Sequence, residues 1–175
     1  MIGKPSFLNF AAMAESWESR KMRWMFKLFP VYVGTGANIT YIAGDYKELH
    51  VRIPLSWRTR NYVGTIYGGS MYAAIDPMYM LMLMRILGKD FVVWDKAANI
   101  KFKKPGTDTL YANFVITEDD LTGIKNRVAN EGEVNYTFNL DIVDKNGIVH
   151  ASVEKLIYVA TKEFYKEKLK KRQTT

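Results

Sequence analysis

The sequence predicts an α+β fold: an antiparallel six-stranded sheet wrapped around a long central helix. Three observations lead there. Six runs alternate apolar and polar residues as strands do. One run, Met71 to Leu87, is apolar almost throughout and long enough for a helix. No repeated strand–helix–strand order is present, so a parallel sheet is not indicated.

The elements follow in chain order. Residues 1–10 carry little signal. Residues 11–29 read as an amphipathic helix. Met13, Trp17, Trp24, Met25 and Leu28 recur at helical spacing, with Glu18, Arg20, Lys21 and Lys27 between them. Pro30 ends that helix. It packs on the outer face of the sheet, seals a ligand tunnel, or lies on a membrane surface. Gly34 to Gly36 is a turn. Ala37–Ile42 and Lys47–Pro54 alternate as two strands around Gly44-Asp45.

Next comes Asn61-Tyr-Val-Gly-Thr-Ile-Tyr-Gly-Gly-Ser70, glycine-rich and polar, feeding the apolar run. Gly68 and Gly69 permit a positive φ or a close approach of another group. Ser70 suits the N-cap. The free N–H groups of a helix start can receive a carbonyl oxygen or an anion, or the two glycines can simply make a tight turn. A helix apolar all round is expected to be buried all round. Asp76 interrupts it, and a buried carboxylate needs a partner or a use. Pro77 should kink the helix there.

Phe91 to Lys104 reads as a long strand, with Ile100 and Phe102 on one face and Lys101 and Lys103 on the other. Pro105-Gly106 breaks it, and Thr109–Thr117 is the next strand. Thr117 to Asp120 resembles a capping box opening a helix to about Arg127. Glu133–Val143 and Ile148–Ala160 form a hairpin around Asp144-Lys-Asn-Gly147. Residues 161–175 form a basic tail with a short charged helix, expected to bury little and to be dispensable for folding. The whole chain, residues 1–175, reads as one domain with an N-terminal helical extension over 1–35.

Composition bounds the rest. The chain has 175 residues, 48% of them hydrophobic and 14% aromatic, enough for one well-filled core. There are no cysteines, which excludes disulfides, thiolate metal sites and a cysteine nucleophile and fits a cytoplasmic location. The N-terminus lacks the order of a signal peptide. The 71–87 run is too short and too interrupted for a membrane span. The net charge is +7, of which Lys162 to Arg172 supply +4. A basic end of this kind reads as solvated, and nucleic-acid binding is not expected.

The order Asn61-x-x-Gly64-Thr65-x-Tyr67-Gly68-Gly69, with Asp76 seven positions on, resembles the signature of the hotdog-fold acyl-CoA thioesterases. The phenylacetate-pathway group shows N-x-x-G-x-x-H-G-G before a helix carrying a catalytic Asp. Tyr67 departs from it by standing where that group has His. Ser70 to Leu81 and Trp94-Asp-Lys96 look more like the thioesterase-like DUF4442 branch. The resemblance covers about residues 36–160 and implies a hotdog fold. Phe102-Lys-Lys-Pro105 is similar to the F-x-R-P element of those enzymes.

The resemblance implies thioester hydrolysis. The Gly69 amide would polarise the thioester carbonyl. Asp76 would activate water or attack directly. Asn61 would orient water or the carboxylate, and Tyr67 would stand in part for the His. Gly68, Ser70, Lys103 and Lys104 would contact substrate, the two lysines through phosphates of coenzyme A. Lys103 and Lys104 read equally as solubilising residues at a strand end. No metal or cofactor is expected beyond coenzyme A as part of the substrate. Gly69 and Asp76 lie roughly 10 Å apart along a helix, so a shared site points to a homodimer or tetramer. The alternative is a non-catalytic acyl or fatty-acid binder, for which Met71, Met78, Met80, Met82 and Met84 would be adaptable lining. A dehydratase or isomerase needs a His paired with a carboxylate near the helix, and only His50 and His150 are present, both in strands.

Overall fold

A computed structural model describes residues 13–173. Residues 1–10, residues 11–12 of the expected first helix and residues 174–175 of the tail lie outside the described residues. The elements run α1 (Trp17–Phe26), α2 (Pro30–Gly34), β1 (Asn38–Ile42), β2 (Glu48–Ile53), α3 (Gly68–Ile75), α4 (Met78–Leu87), β3 (Phe91–Phe102), β4 (Leu110–Val115), α5 (Glu118–Glu131), β5 (Glu133–Val143), β6 (Val149–Thr161) and α6 (Lys162–Gln173). The six strands form one antiparallel sheet in the order β1-β2-β4-β5-β6-β3. Its concave face holds α3 and α4. Ala74, Ile75, Met78 and Leu83 are fully buried against Ile53, Leu110, Phe114 and Ile157.

Local chemistry explains the boundaries. Ser16 caps α1 by accepting from the Ser19 amide at 3.1 Å. Pro30 starts a second short helix after the first has ended at Phe26. Thr117 and Asp120 make the expected capping box, and α5 runs on to Glu131, beyond Arg127. Asp144 Oδ1 accepts from the amides of Asn146 and Ile148, and Gly147 takes φ +77° to close the β5–β6 hairpin.

Two expectations change. The central helix is broken in two at Asp76–Pro77 and is not buried all round. Ala73, Met84 and Arg85 are exposed, because α1 and α2 stand off from that side and leave a cavity. The tail is more firmly attached than its charge suggests. Phe164 lies over Gly132, where a Cβ would sit 2.2 Å from the ring. Lys168 pairs with Glu133, and Tyr165 meets Tyr158. Phe164, Tyr165 and Lys168 share one face of α6, so a polar helix still has an attachment side.

Gly132 ends α5 with φ +80° and donates to Val128 O. Gly132→Ala combines a left-handed residue, costing about 1–2 kcal/mol, with displacement of Phe164. A urea melt should show that loss. Introduced into a Phe164→Ala chain, the same Gly132→Ala change should cost only the backbone part of it.

Candidate active site

The loop before α3 is fixed mainly by its own polar groups. Thr59, fully buried, donates to Pro54 O at 2.6 Å and accepts from the Ser56 amide. The Tyr67 amide donates to Thr59 O at 2.7 Å, and the Ile66 amide to Gly106 O at 2.8 Å. Asn61 Oδ1 accepts from the amides of Val63 and Thr65, while its Nδ2 donates to Thr65 Oγ1. Asn61 therefore folds its own loop, an Asx turn, and its amide group is engaged there.

Tyr67 is the N-cap of α3 and Ser70 lies inside the helix, not at its cap. Gly68 and Gly69 do not take positive φ; Gly64 in the same loop does, at +86°. Two rings lie close over the pair. A Cβ on Gly68 would meet Phe102 at 2.8 Å, and one on Gly69 would meet Tyr67 at 2.2 Å. Tyr67 is exposed, and its ring lies against Gly69 at the helix start.

The structure brings Gly68, Lys103 and Lys104 together. With Thr65, Met71 and Phe102 they border an open groove of about 450 Å³. The Lys103 and Lys104 amides donate to His150 O, leaving both side chains exposed. His150 itself is bound to Pro105 O at 3.0 Å, and His50 to Glu48 at 2.7 Å.

Asp76 lies elsewhere. It closes α3, and Pro77 opens α4 with φ −83° and ψ −4°. Tyr32 Oη donates to Ala74 O at 3.2 Å, taking up a carbonyl at the break. Asp76 Oδ1 accepts from Lys155 Nζ at 2.7 Å. The same nitrogen stands 2.8 Å from Asp95 Oδ1 as an ion-pair contact, and 5.4 Å from the centre of the Tyr72 ring. Lys155 is only 1% exposed, on the core face of β6, while 42% of the Asp76 side chain is accessible.

Sequence reasoning did not single out Lys155 or name Asp95 as its partner. Parity carries the signal: Val153, Lys155 and Ile157 share a face, and so do Val93 and Asp95. A β-bulge between Asp95 and Ala97 places Lys96 opposite no residue of β6. Such bulges re-aim side chains, and this one sets Asp95 beside the lysine.

The electrostatics are those of one cation between two acids. Burial alone would lower the Lys155 pKa, but the Asp76 and Asp95 carboxylates outweigh it and hold the ammonium above its ordinary value. Burial raises the Asp95 carboxyl, against the pull of Lys155. Burial, and then the hydrogen bond to Asp76, raises the Tyr72 phenol.

Asp76 opens onto a cavity of about 660 Å³ between α1–α2 and the broken helix. Met25, Phe29, Val31, Met80, Leu81 and Met84 give it apolar walls, and Asp76 and Arg85 are its charged residues. Within one protomer the glycine turn and Asp76 thus border different cavities. Among the described residues no group of three or more His, Cys, Asp or Glu is placed to hold a metal ion. No helix among them is long and apolar enough to cross a membrane.

The model of a family described as a domain of unknown function, DUF4442, matches residues 18–159. A Pseudomonas aeruginosa protein of unknown function, named a probable thioesterase, superposes with TM-score 0.72 at 15% identity, over 86% of this chain and 99% of that one. A Chlorobaculum tepidum TLS protein of unknown function gives 0.68 at 16%, over 87% and 99%. A thioesterase from Haemophilus influenzae gives 0.60 at 12%, over 86% and 95%. At such identities the likeness shows the fold, which is the hotdog arrangement. No curated protein matches the chain in sequence.

Lys155→Met would leave two carboxylates facing each other. The cost of breaking a buried pair is roughly 3–5 kcal/mol, and the accessibility of Asp76 sets the expected loss at the lower end. Lys155→Met with Asp95→Leu should recover much of it in a denaturant melt. A pH series gives an independent check. The folded pKa of Asp95 is raised, so its contribution to stability is present below the unfolded value of about 3.9 and fades as pH rises through the folded one. The stability of Asp95→Asn relative to the wild type should therefore improve from acid towards neutral pH.

Proposed function

The chain belongs to the DUF4442 family, and we propose that it is a thioesterase-like protein that binds an acyl thioester and hydrolyses it at Asp76. One observation carries the reading: the accessible carboxylate at the helix break stands in the wall of an apolar cavity. Such a cavity suits an acyl chain, and a carboxylate at its wall can take a proton from water. The water oxygen attacks the thioester carbon, the C–S bond breaks, and the thiol leaves with a proton. Lys155 holds one oxygen of Asp76.

The electrophilic half is the start of α3. The Gly69 amide, with the Tyr67 hydroxyl end nearby, would meet the carbonyl oxygen. Lys103 and Lys104 beside Gly68 suit the phosphates of coenzyme A, which enters as part of the substrate. Asn61 supports this half by shaping the loop. Because the two halves border separate cavities in one protomer, a facing copy would join them. β3 favours such a copy: it is a 12-residue edge strand with exposed Trp94 and an unpaired side. A cysteine-free chain of this kind suits the cytoplasm.

A second reading has its own support. Asp76 is tied to Lys155, Asn61 is engaged in its own loop, and Tyr67 has no basic nitrogen. These favour an acyl-binding protein without turnover.

A panel of acyl-CoA esters assayed for thiol release separates the two, with no protein thiol to interfere. Asp76→Asn should lower turnover by roughly 10² while fatty-acyl binding persists. A wild type inert towards every ester, yet binding fatty-acyl ligands, would establish the binding reading. Sedimentation should show a dimer or larger at micromolar concentration, and a monomer there would remove the shared site.

A further inference from the structure

α1 carries two apolar faces, and the core explains only one. Ser19, Met22 and Phe26 point inward and are buried. Trp17, Trp24 and Leu28 recur on the opposite side, and the chain continues through Phe29 and Val31. Trp24 is 60% exposed, Leu28 81% and Val31 76%. Trp57, 86% exposed, stands beside them through Arg58, whose guanidinium donates to Val33 O. Scattered apolar residues on a surface are ordinary, but this many on one helix face and the segment that follows it call for a partner.

The charges around the corner are mostly positive. Arg20 and Lys21 lie along exposed α1, Lys27 caps its end, and Arg58 follows Trp57. Glu18 is the one acid of α1, and Glu15 before it is taken up by Arg23. Lys27 Nζ stands 4.2 Å from the centre of the Trp24 ring, and Arg58 lies over Trp57 at 5.4 Å. Tryptophans topped by cations, with aliphatic residues between them, have the composition of a helix seated in a lipid headgroup layer. Met25, Phe29 and Val31 of this corner also line the cavity that holds Asp76.

We propose that the α1–α2 corner is a docking surface for an anionic lipid bilayer. Trp24, Leu28 and Val31 enter the headgroup region, while Lys21, Lys27 and Arg58 meet the anionic headgroups. Seated this way, the protein turns the apolar mouth of its cavity towards the membrane, the source of amphiphilic acyl compounds. That last link rests on the acyl-ligand reading; the docking does not.

Vesicle co-sedimentation of the full chain tests it without any enzyme assay, so a failure of docking and a failure of hydrolysis are separate results. The wild type should bind vesicles of equimolar phosphatidylcholine and phosphatidylserine, bind pure phosphatidylcholine far more weakly, and be released by salt. Lys27→Glu and Leu28→Glu, both at exposed positions, should keep the wild-type melting temperature and each weaken binding by about fivefold or more. Lys125→Glu, on exposed α5, should bind as the wild type does. The proposal is overturned if the wild type ignores anionic vesicles or if Leu28→Glu binds them unchanged. It is also overturned if Leu28→Glu alters only the sedimenting mass, which would show a second copy covering this face.

Discussion

A lysine on the core face of an inner strand constrains everything near it. Its ammonium cannot remain there without acids, and the acids must come from elements that would otherwise bury apolar groups. Here one comes from the break in the central helix and the other from the bulged edge strand. Lys155 thereby fixes the helix to the sheet at one point. At the break, Asp76 meets Lys155 on one side and the cavity under α1 and α2 on the other.

The same constraint leaves the chain with two separate cavities. The glycine turn, with its two lysines, is positive and open. The Asp76 side is apolar and carries its acid. The two groups that the proposed hydrolysis would need, the Gly69 amide and Asp76, therefore lie on different sides of the chain. β3, the edge strand, runs from the Asp76 side at Asp95 to the glycine turn at Phe102.

Much of the fold was legible because strands declare themselves by alternation and helices by their caps. All six strands, the Thr117 capping box and the Asp144–Gly147 turn follow from such signals. The helix break was legible at Pro77, though its exposed side was not, since an apolar sequence does not say how far its neighbours reach. The site was legible in part. Asp76 is conspicuous by its surroundings, whereas Lys155 hides within a strand whose Glu154 and Ser152 look equally polar. Asn61 shows the limit of spacing: the same Asn-x-x-Gly that resembles a catalytic signature also suits an Asx turn. The glycine pair takes no positive φ, and what lies over it is something no spacing encodes, namely two aromatic rings.

The extra residue at Lys96 has a reach beyond Asp95. Before it, odd-numbered residues of β3 face the core, as Val93 and Asp95 do; after it, even-numbered ones do, opposite Lys155, Val153 and Ala151. Phe102 faces Gly68 only because of that change of phase. The bulge therefore works as a frame-shift written in space, setting the ion pair on one side of itself and the cover of the glycine turn on the other. The length of β3 between those two contacts is consequently constrained: a single residue inserted or removed there would turn Phe102 away from the turn or Asp95 away from Lys155.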